Sequence, residues 1–367
     1  MIDNTNLLED LLTQGIIRLC DGQLLHKTPA PLPQDIGFTK IEGMLLGVAI
    51  GDALGATTEG ISPKERCQHH GEITDYIAGE HSEYKTVGMP TDDTQLTFWT
   101  LKQLISDDGL IPDNLVKRFC KHHIVGIGNT VKSSLSNYRD GHKPWYNTGL
   151  DSLGNGALMR VSSIIVPYLN KPHRSMYVDA ALDTMITHNA FANTASCVAF
   201  INILWSLLSM KSPPEPRWWI DTFCSIAEEL EGNTKYIRRI PGHNDYQGPL
   251  WQFTERVVNE ALRKQLSVLD ACHGWGSGAN LFETVPSVLY ILARHAQNGE
   301  EAIVRAVNDT VDNDSVAAIV GAAVGALHGL GGIPDRWIKG LTGRTRSSDD
   351  GEVFKLILLS KRKFWNK

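Results

Sequence analysis

Apolar residues recur at intervals of three and four along most of the chain, in residues 96–105, 155–169, 178–186, 192–210, 251–269, 282–295 and 315–330. That spacing gathers the apolar side chains into one stripe per helix and predicts helices in each window. Alternation with a period of two is scarce. Residues 161–168 are the best strand candidate, but Pro167 has no N–H to give a sheet ladder and the segment before it is in helical phase. The expected fold is therefore all-α. A short amphipathic stretch at residues 6–19 precedes it, followed by the proline-rich run 27–33, which cannot continue a helix. Residues 1–39 accordingly read as an N-terminal extension on a domain spanning 40–367. Residues 231–249 are polar, with Arg238, Arg239, Pro241 and Gly242, and read as a long surface loop. No fixed-period repeat stands out.

Small residues mark two helices that must pack closely. Gly43, Gly47 and Gly51 fall at four-residue spacing, and Gly321, Ala322, Ala323, Gly325, Ala326 and Gly329 crowd a second helix. Both helices lie next to acidic clusters. The totals narrow the partners: a net charge of −6 supplies no basic field to draw the chain onto nucleic acid or anionic lipid. The N-terminus lacks the basic start and apolar run of a signal peptide, and no segment is expected to form an uncharged membrane span, so the expectation is a cytoplasmic protein. Cys20, Cys67, Cys120, Cys197, Cys224 and Cys272 are scattered without a C-x-x-C pair, which argues for reduced thiols over a zinc ribbon or disulfide scaffold.

The chemistry concentrates in two acidic clusters, Thr91-Asp92-Asp93-Thr94 and Asp312-Asn313-Asp314-Ser315, each directly before an apolar helix. Taken singly, each reads as a helix cap, because Thr or Asp there accepts orphan backbone N–H groups and offsets the helix dipole. Taken together they offer carboxylates and hydroxyls of the kind that hard divalent cations prefer. Nothing in the chain clusters Cys or His as a softer site. The adjacent pairs His69-His70 and His122-His123 diverge on a helix and read as ordinary surface or core histidines.

Four blocks in order, Gly43 to Gly55 with Glu59, Thr91 to Thr94, Gly154-Asn155-Gly156 with Met159-Arg160, and Asp312 to Ser315, resemble the ADP-ribosylglycohydrolase family. Thr187-His188-Asn189 falls where that family has a histidine. The resemblance covers residues 40 to 340 and implies an all-α, single-domain orthogonal helical bundle with two divalent ions, Mg²⁺ or Mn²⁺, beside a cleft for ADP-ribose. By motif position Thr91, Asp92 and Asp93 would be metal ligands from one side and Asp312, Asp314 and Ser315 from the other. Ser315 replaces the more usual threonine, and either hydroxyl can coordinate. Asp52 is expected to order its loop.

Cleavage of an ADP-ribosyl–guanidinium bond passes through an oxocarbenium-like state, as glycoside hydrolysis does. Glu59, Asp92 and Asp93 are the candidates for proton transfer. Gly154, Asn155, Gly156, Met159, Arg160 and His188 would border the substrate. Trp275 with Gly276, Ser277 and Gly278 forms a second glycine-rich turn where a base could stack. The substrate class so implied is an ADP-ribosylated protein. Relatives that act as immunity proteins carry an added arm that blocks an ADP-ribosyltransferase toxin, so the extension is either such a partner-binding arm or a helix that covers its own domain. Two alternatives stay open: hydrolysis of another ADP-ribose linkage, and a non-catalytic inhibitor of a partner toxin.

Overall fold

The computed structural model describes residues 2–79, 86–237 and 246–365. The helices run in chain order as α1 (Thr5–Thr13), α2 (Thr39–Gly55), α3 (Pro63–His70), α4 (Asp92–Asp107), α5 (Pro112–Phe119), α6 (Asn129–Arg139), α7 (Ser175–Met185) and α8 (Phe191–Ser209). They continue as α9 (Pro216–Glu231), α10 (Leu250–Lys264), α11 (Val268–Trp275), α12 (Leu281–His295), α13 (Gly299–Asp309), α14 (Asn313–His328), α15 (Asp335–Gly340) and α16 (Glu352–Phe364). The sheet among the described residues is one two-stranded antiparallel ribbon, β1 (Tyr236–Ile237) with β2 (Gln247–Gly248). The protein is all-α, as its periodicity predicts.

The small-residue seam decides where the site forms. A Cβ on Gly47 would lie 2.0 Å from the Gly321 carbonyl oxygen, and one on Gly51 would lie 2.1 Å from that of Ala317. Only glycine lets the two backbones approach so closely. Gly43 meets Gly325 and Gly329, while Gly55 meets Asp314, so α2 and α14 run antiparallel. The C-terminal end of α2 is thereby locked against the N-terminal end of α14.

Three helical segments, Thr39–Thr58, Phe191–Ser209 and Asn313–Gly332, are long and apolar enough to cross a membrane by length and composition, against the expectation that none would be. Their apolar windows are 89%, 83% and 78% buried within the fold, which accounts for that composition. Residues 161–168 are not a strand. Leu158–Tyr168 is one buried 3-10 helix with Pro167 inside it. At the start of the expected loop at 231–249, buried Glu231 accepts hydrogen bonds from the Leu250 and Trp251 N–H groups at 2.6 and 3.1 Å, and so caps α10 from the end of α9. Arg238, Arg239, Pro241 and Gly242 lie outside the described residues.

The extension lies on its own domain. Leu8, Leu11, Ile17, Leu19, Leu25 and Leu32 are buried, and each such side chain contributes roughly 1.5–3 kcal/mol through removal from water. Asn4 donates to the Asp179 carboxylate on α7 at 2.7 Å, the Cys20 N–H donates to the Leu230 carbonyl at 2.8 Å, and Trp205 on α8 donates to the Ala30 carbonyl at 2.9 Å. The apolar face of the extension is thus covered by α7, α8 and α9 of its own domain. All six cysteines are free thiols.

Candidate active site

The site is built where three helix ends converge. Asp52, fully buried near the end of α2, accepts hydrogen bonds from Thr91 N and Oγ1 at 2.8 Å and from Thr94 N and Oγ1 at 3.0 and 2.6 Å. It therefore caps α4 from another helix, which matches the ordering role expected of it. Thr91 occupies the N-cap position without a side-chain capping bond, and so does Asp312 on α14. The capping alternative thus fails for the side chains of both clusters. Asp92, Asp93 and Asp314 lie in first turns, where the positive end of the helix dipole favours a carboxylate.

Five carboxylates fall into two overlapping groups, Asp52 with Asp93 and Asp314, and Glu59 with Asp312 and Asp314, each with ligand atoms within 4.8 Å of one another. Asp314 belongs to both. Asp92 lines the same cleft outside either group. Ser315 Oγ reaches Asp93 Oδ2 at 3.5 Å, whereas buried Asp93 Oδ1 has no hydrogen-bond partner. Thr91 Oγ1 donates its hydrogen to Asp52 at 2.8 Å, which leaves the lone pairs of the hydroxyl for a ligand, as its motif implies.

Burial and then the neighbouring acids push the Asp92, Asp93 and Asp314 carboxyls well above the usual carboxylate range. Burial first, then Asp52, raises Glu59 at the solvent-exposed mouth. Asp312 is pushed up to about 7, chiefly by burial, although Asn155 donates to it at 2.5 Å. No Lys or Arg among the described residues lines the cleft. So much unpaired negative charge, with an orphaned buried oxygen, is the donor set a hard divalent cation fits.

Buried Arg66 on α3 fixes the distance between the two loops of the second group. Its guanidinium donates to Thr58 and Ile61 on the Glu59 side and to Val307 and Thr310 on the Asp312 side. The Gly60 N–H adds a bond to the Val311 carbonyl at 3.0 Å. The opposite wall is neutral. Gly154, Asn155, Gly156, Met159 and His188 line it, together with residues 128–131 at the start of α6, where no side chain caps the helix. A Cβ on Gly154 would lie 3.2 Å from His188 Nε2 and one on Gly156 3.1 Å from Cε1, so a side chain at either position would press on the imidazole. Burial holds His188 neutral, with its pKa down to about 3.

Two sequence expectations need correction. Arg160 does not border the cleft: it is fully buried and pairs with Asp183, its Nη1 lying 2.5 and 2.6 Å from the two carboxylate oxygens. Trp275 cannot stack on a base, since it is buried edge-on against Tyr290 and donates to Ser287 at 3.0 Å. Gly276 and Ser277 line a separate groove of about 810 Å³ between α3, α11 and α13. Ser277 still matters to the cleft, because its carbonyl accepts from Asp312 N at 2.9 Å and braces that loop. Gly278 donates to Glu283 at 2.6 Å instead of facing a ligand. The face Asp52 turns toward Asp93 and Asp314 was missed. Its place directly after Gly51 of the seam was the available signal.

Residues 33–362 match the family model described as ADP-ribosylglycohydrolase. The chain is 25% identical to ADP-ribosylarginine hydrolase Tri1 of Serratia proteamaculans, covering 94% of this chain and 86% of the relative. It is 23% identical to the ADP-ribosyl-[dinitrogen reductase] glycohydrolase of Rhodospirillum rubrum, covering 87% and 95%. A solved structure titled ADP-ribosylglycohydrolase-related protein complex superposes with a TM-score of 0.63 over 89% of this chain and 98% of that one at 23% identity, a likeness of fold.

Proposed function

The chain belongs to the ADP-ribosylglycohydrolase family, and from that membership we propose that it is a divalent-metal-dependent hydrolase that removes ADP-ribose from arginine side chains of modified proteins. The observation that carries the metal dependence is the pair of carboxylate groups sharing Asp314, with Asp93 Oδ1 unpartnered and no basic residue among the described lining. Asp52, Asp93 and Asp314 would hold one ion and Asp312 and Asp314 the other, with Ser315 and Glu59 beside them. Bound Mg²⁺ or Mn²⁺ supplies Lewis acidity and a water of lowered pKa.

The chain's own residues do the rest. Asp92 faces the cleft and stands outside both ligand groups, which suits it to accept a proton from attacking water. Glu59 at the mouth, its carboxyl raised, can hold a proton for the departing guanidine nitrogen. The uncapped start of α6 offers N–H groups to a pyrophosphate. The arginine linkage rests on the relative named an ADP-ribosylarginine hydrolase.

ADP-ribose release from an arginine-modified protein, followed with and without Mg²⁺ or Mn²⁺, tests this. Metal should be required, and Asp92→Asn or Asp314→Asn should lower kcat/KM by about 10³-fold. Undiminished turnover in both variants would sink the assignment. Cleavage of a serine-linked substrate in place of the arginine-linked one would overturn the linkage.

A further inference from the structure

His188 reaches the cleft from a chain of buried groups that the reaction does not touch. Its Nδ1 lies 2.9 Å from Thr187 Oγ1, and Arg160 Nη2 donates to that same hydroxyl oxygen at 3.0 Å. Arg160 is in turn held by Asp183, through both carboxylate oxygens and through the Asp183 carbonyl at 2.9 Å. Thr187, His188, Arg160 and Asp183 are all buried.

The hydrogens can be counted. Arginine only donates, so Thr187 Oγ1 accepts from Arg160 and its single hydrogen must find an acceptor elsewhere. Among the described residues, His188 Nδ1 is the remaining hydrogen-bond neighbour of that oxygen. If Nδ1 instead carried the imidazole hydrogen, two donors would converge on the hydroxyl and its own hydrogen would be buried unpaired, an arrangement native interiors avoid. Thr187 therefore donates to Nδ1, and the imidazole hydrogen sits on Nε2, which lies against Gly154 in the cleft.

We propose that Arg160 and Thr187 are positioning residues that lock His188 as a neutral Nε2–H donor aimed at an acceptor oxygen of the bound ADP-ribose. The proposal rests on the ADP-ribose reading of the cleft for its ligand, though not for its tautomer. It gives the buried Arg160–Asp183 pair a role at a distance: the pair presents a fixed donor to Thr187, which keeps that hydroxyl from reversing. A neutral donor also suits the wall, since a pyrophosphate there meets no Lys or Arg among the described residues.

The test combines imidazole ¹⁵N NMR on the full chain with calorimetric titration of ADP-ribose, for wild type, Thr187→Ser and Thr187→Val. Wild type and Thr187→Ser should both show His188 protonated at Nε2 alone and bind ADP-ribose alike. Thr187→Val should lose the fixed tautomer and bind about tenfold more weakly. A wild-type spectrum with the hydrogen on Nδ1, or a Thr187→Val protein with unchanged tautomer and affinity, overturns the proposal. If wild type fails to bind ADP-ribose, the ligand reading falls, while the wild-type tautomer still decides the positioning. A merely structural threonine would lower stability without moving the ¹⁵N signature.

Discussion

Asp183 and Asp314 are both buried aspartates, 0% and 2% exposed, yet their surroundings differ in kind. Asp183 has its cation built in: Arg160 lies 2.5 Å away and opposes the rise that burial imposes on its carboxyl. Asp314 faces other carboxylates, and burial, Glu59 and Asp312 all push it the same way. Interiors tolerate charge when it is paired and hydrogen-bonded. The contrast separates a carboxylate whose cation the fold itself supplies from one whose partner, on the metal reading proposed above, would be a bound cation.

The sharpest way to break this comparison is to neutralise each carboxylate without changing its shape. Asp183→Asn leaves the Arg160 charge buried and uncompensated, which should cost about 3–5 kcal/mol in urea unfolding. Asp314→Asn removes one of several mutually repelling charges and should leave the metal-free protein as stable as wild type or more so. Equal losses in the two variants would mean that Asp314 is a structural residue after all.

Adding the cation should sharpen the contrast further. With Mg²⁺ or Mn²⁺ at a hundredfold over its dissociation constant, wild type should gain about 2.7 kcal/mol of stability. Asp314→Asn, which damages both ligand groups, should gain little. Thermal unfolding with and without the ion measures this, and a wild type that metal does not stabilise would contradict the cation reading.

Much of this was legible in the sequence, for reasons that differ by residue. The α2–α14 seam could be read because four-residue spacing of glycines directly encodes a close-packed helix face. The acidic clusters could be read because carboxylates at helix starts are local features, although it took their shared composition and the family resemblance to set the two facing each other. Arg160 was misread because its partner Asp183 is 23 residues away on another helix, and no local pattern says which way a long side chain turns. Trp275 was misread for the same reason, its indole N–H being claimed by Ser287. The 3-10 form of Leu158–Tyr168 and the Glu231 cap on α10 arise from tertiary packing, where propensity has little to say.

The smallest expected effect is the most specific to the comparison. A carboxyl whose folded pKa lies above its unfolded value binds more protons folded than unfolded, so its contribution to stability is present below pH 4 and is lost as pH rises. Asp314 is raised in this sense, while buried His188, depressed to about 3, works in the opposite direction. Absolute stability against pH therefore mixes opposing groups, and the informative quantity is a difference between two proteins that share all of them but one. At pH 4, where Asp314 is protonated, metal-stripped wild type and Asp314→Asn should unfold at nearly the same temperature, because a neutral carboxyl and an amide have similar shape. As pH rises to 8 the variant should become progressively the more stable, since asparagine has no proton to lose. Saturating divalent metal should reverse the order at pH 8, because only wild type then gains its ligand. A difference that stays flat from pH 4 to pH 8 in the stripped proteins would show that Asp314 already has a partner, and the distinction from Asp183 would disappear.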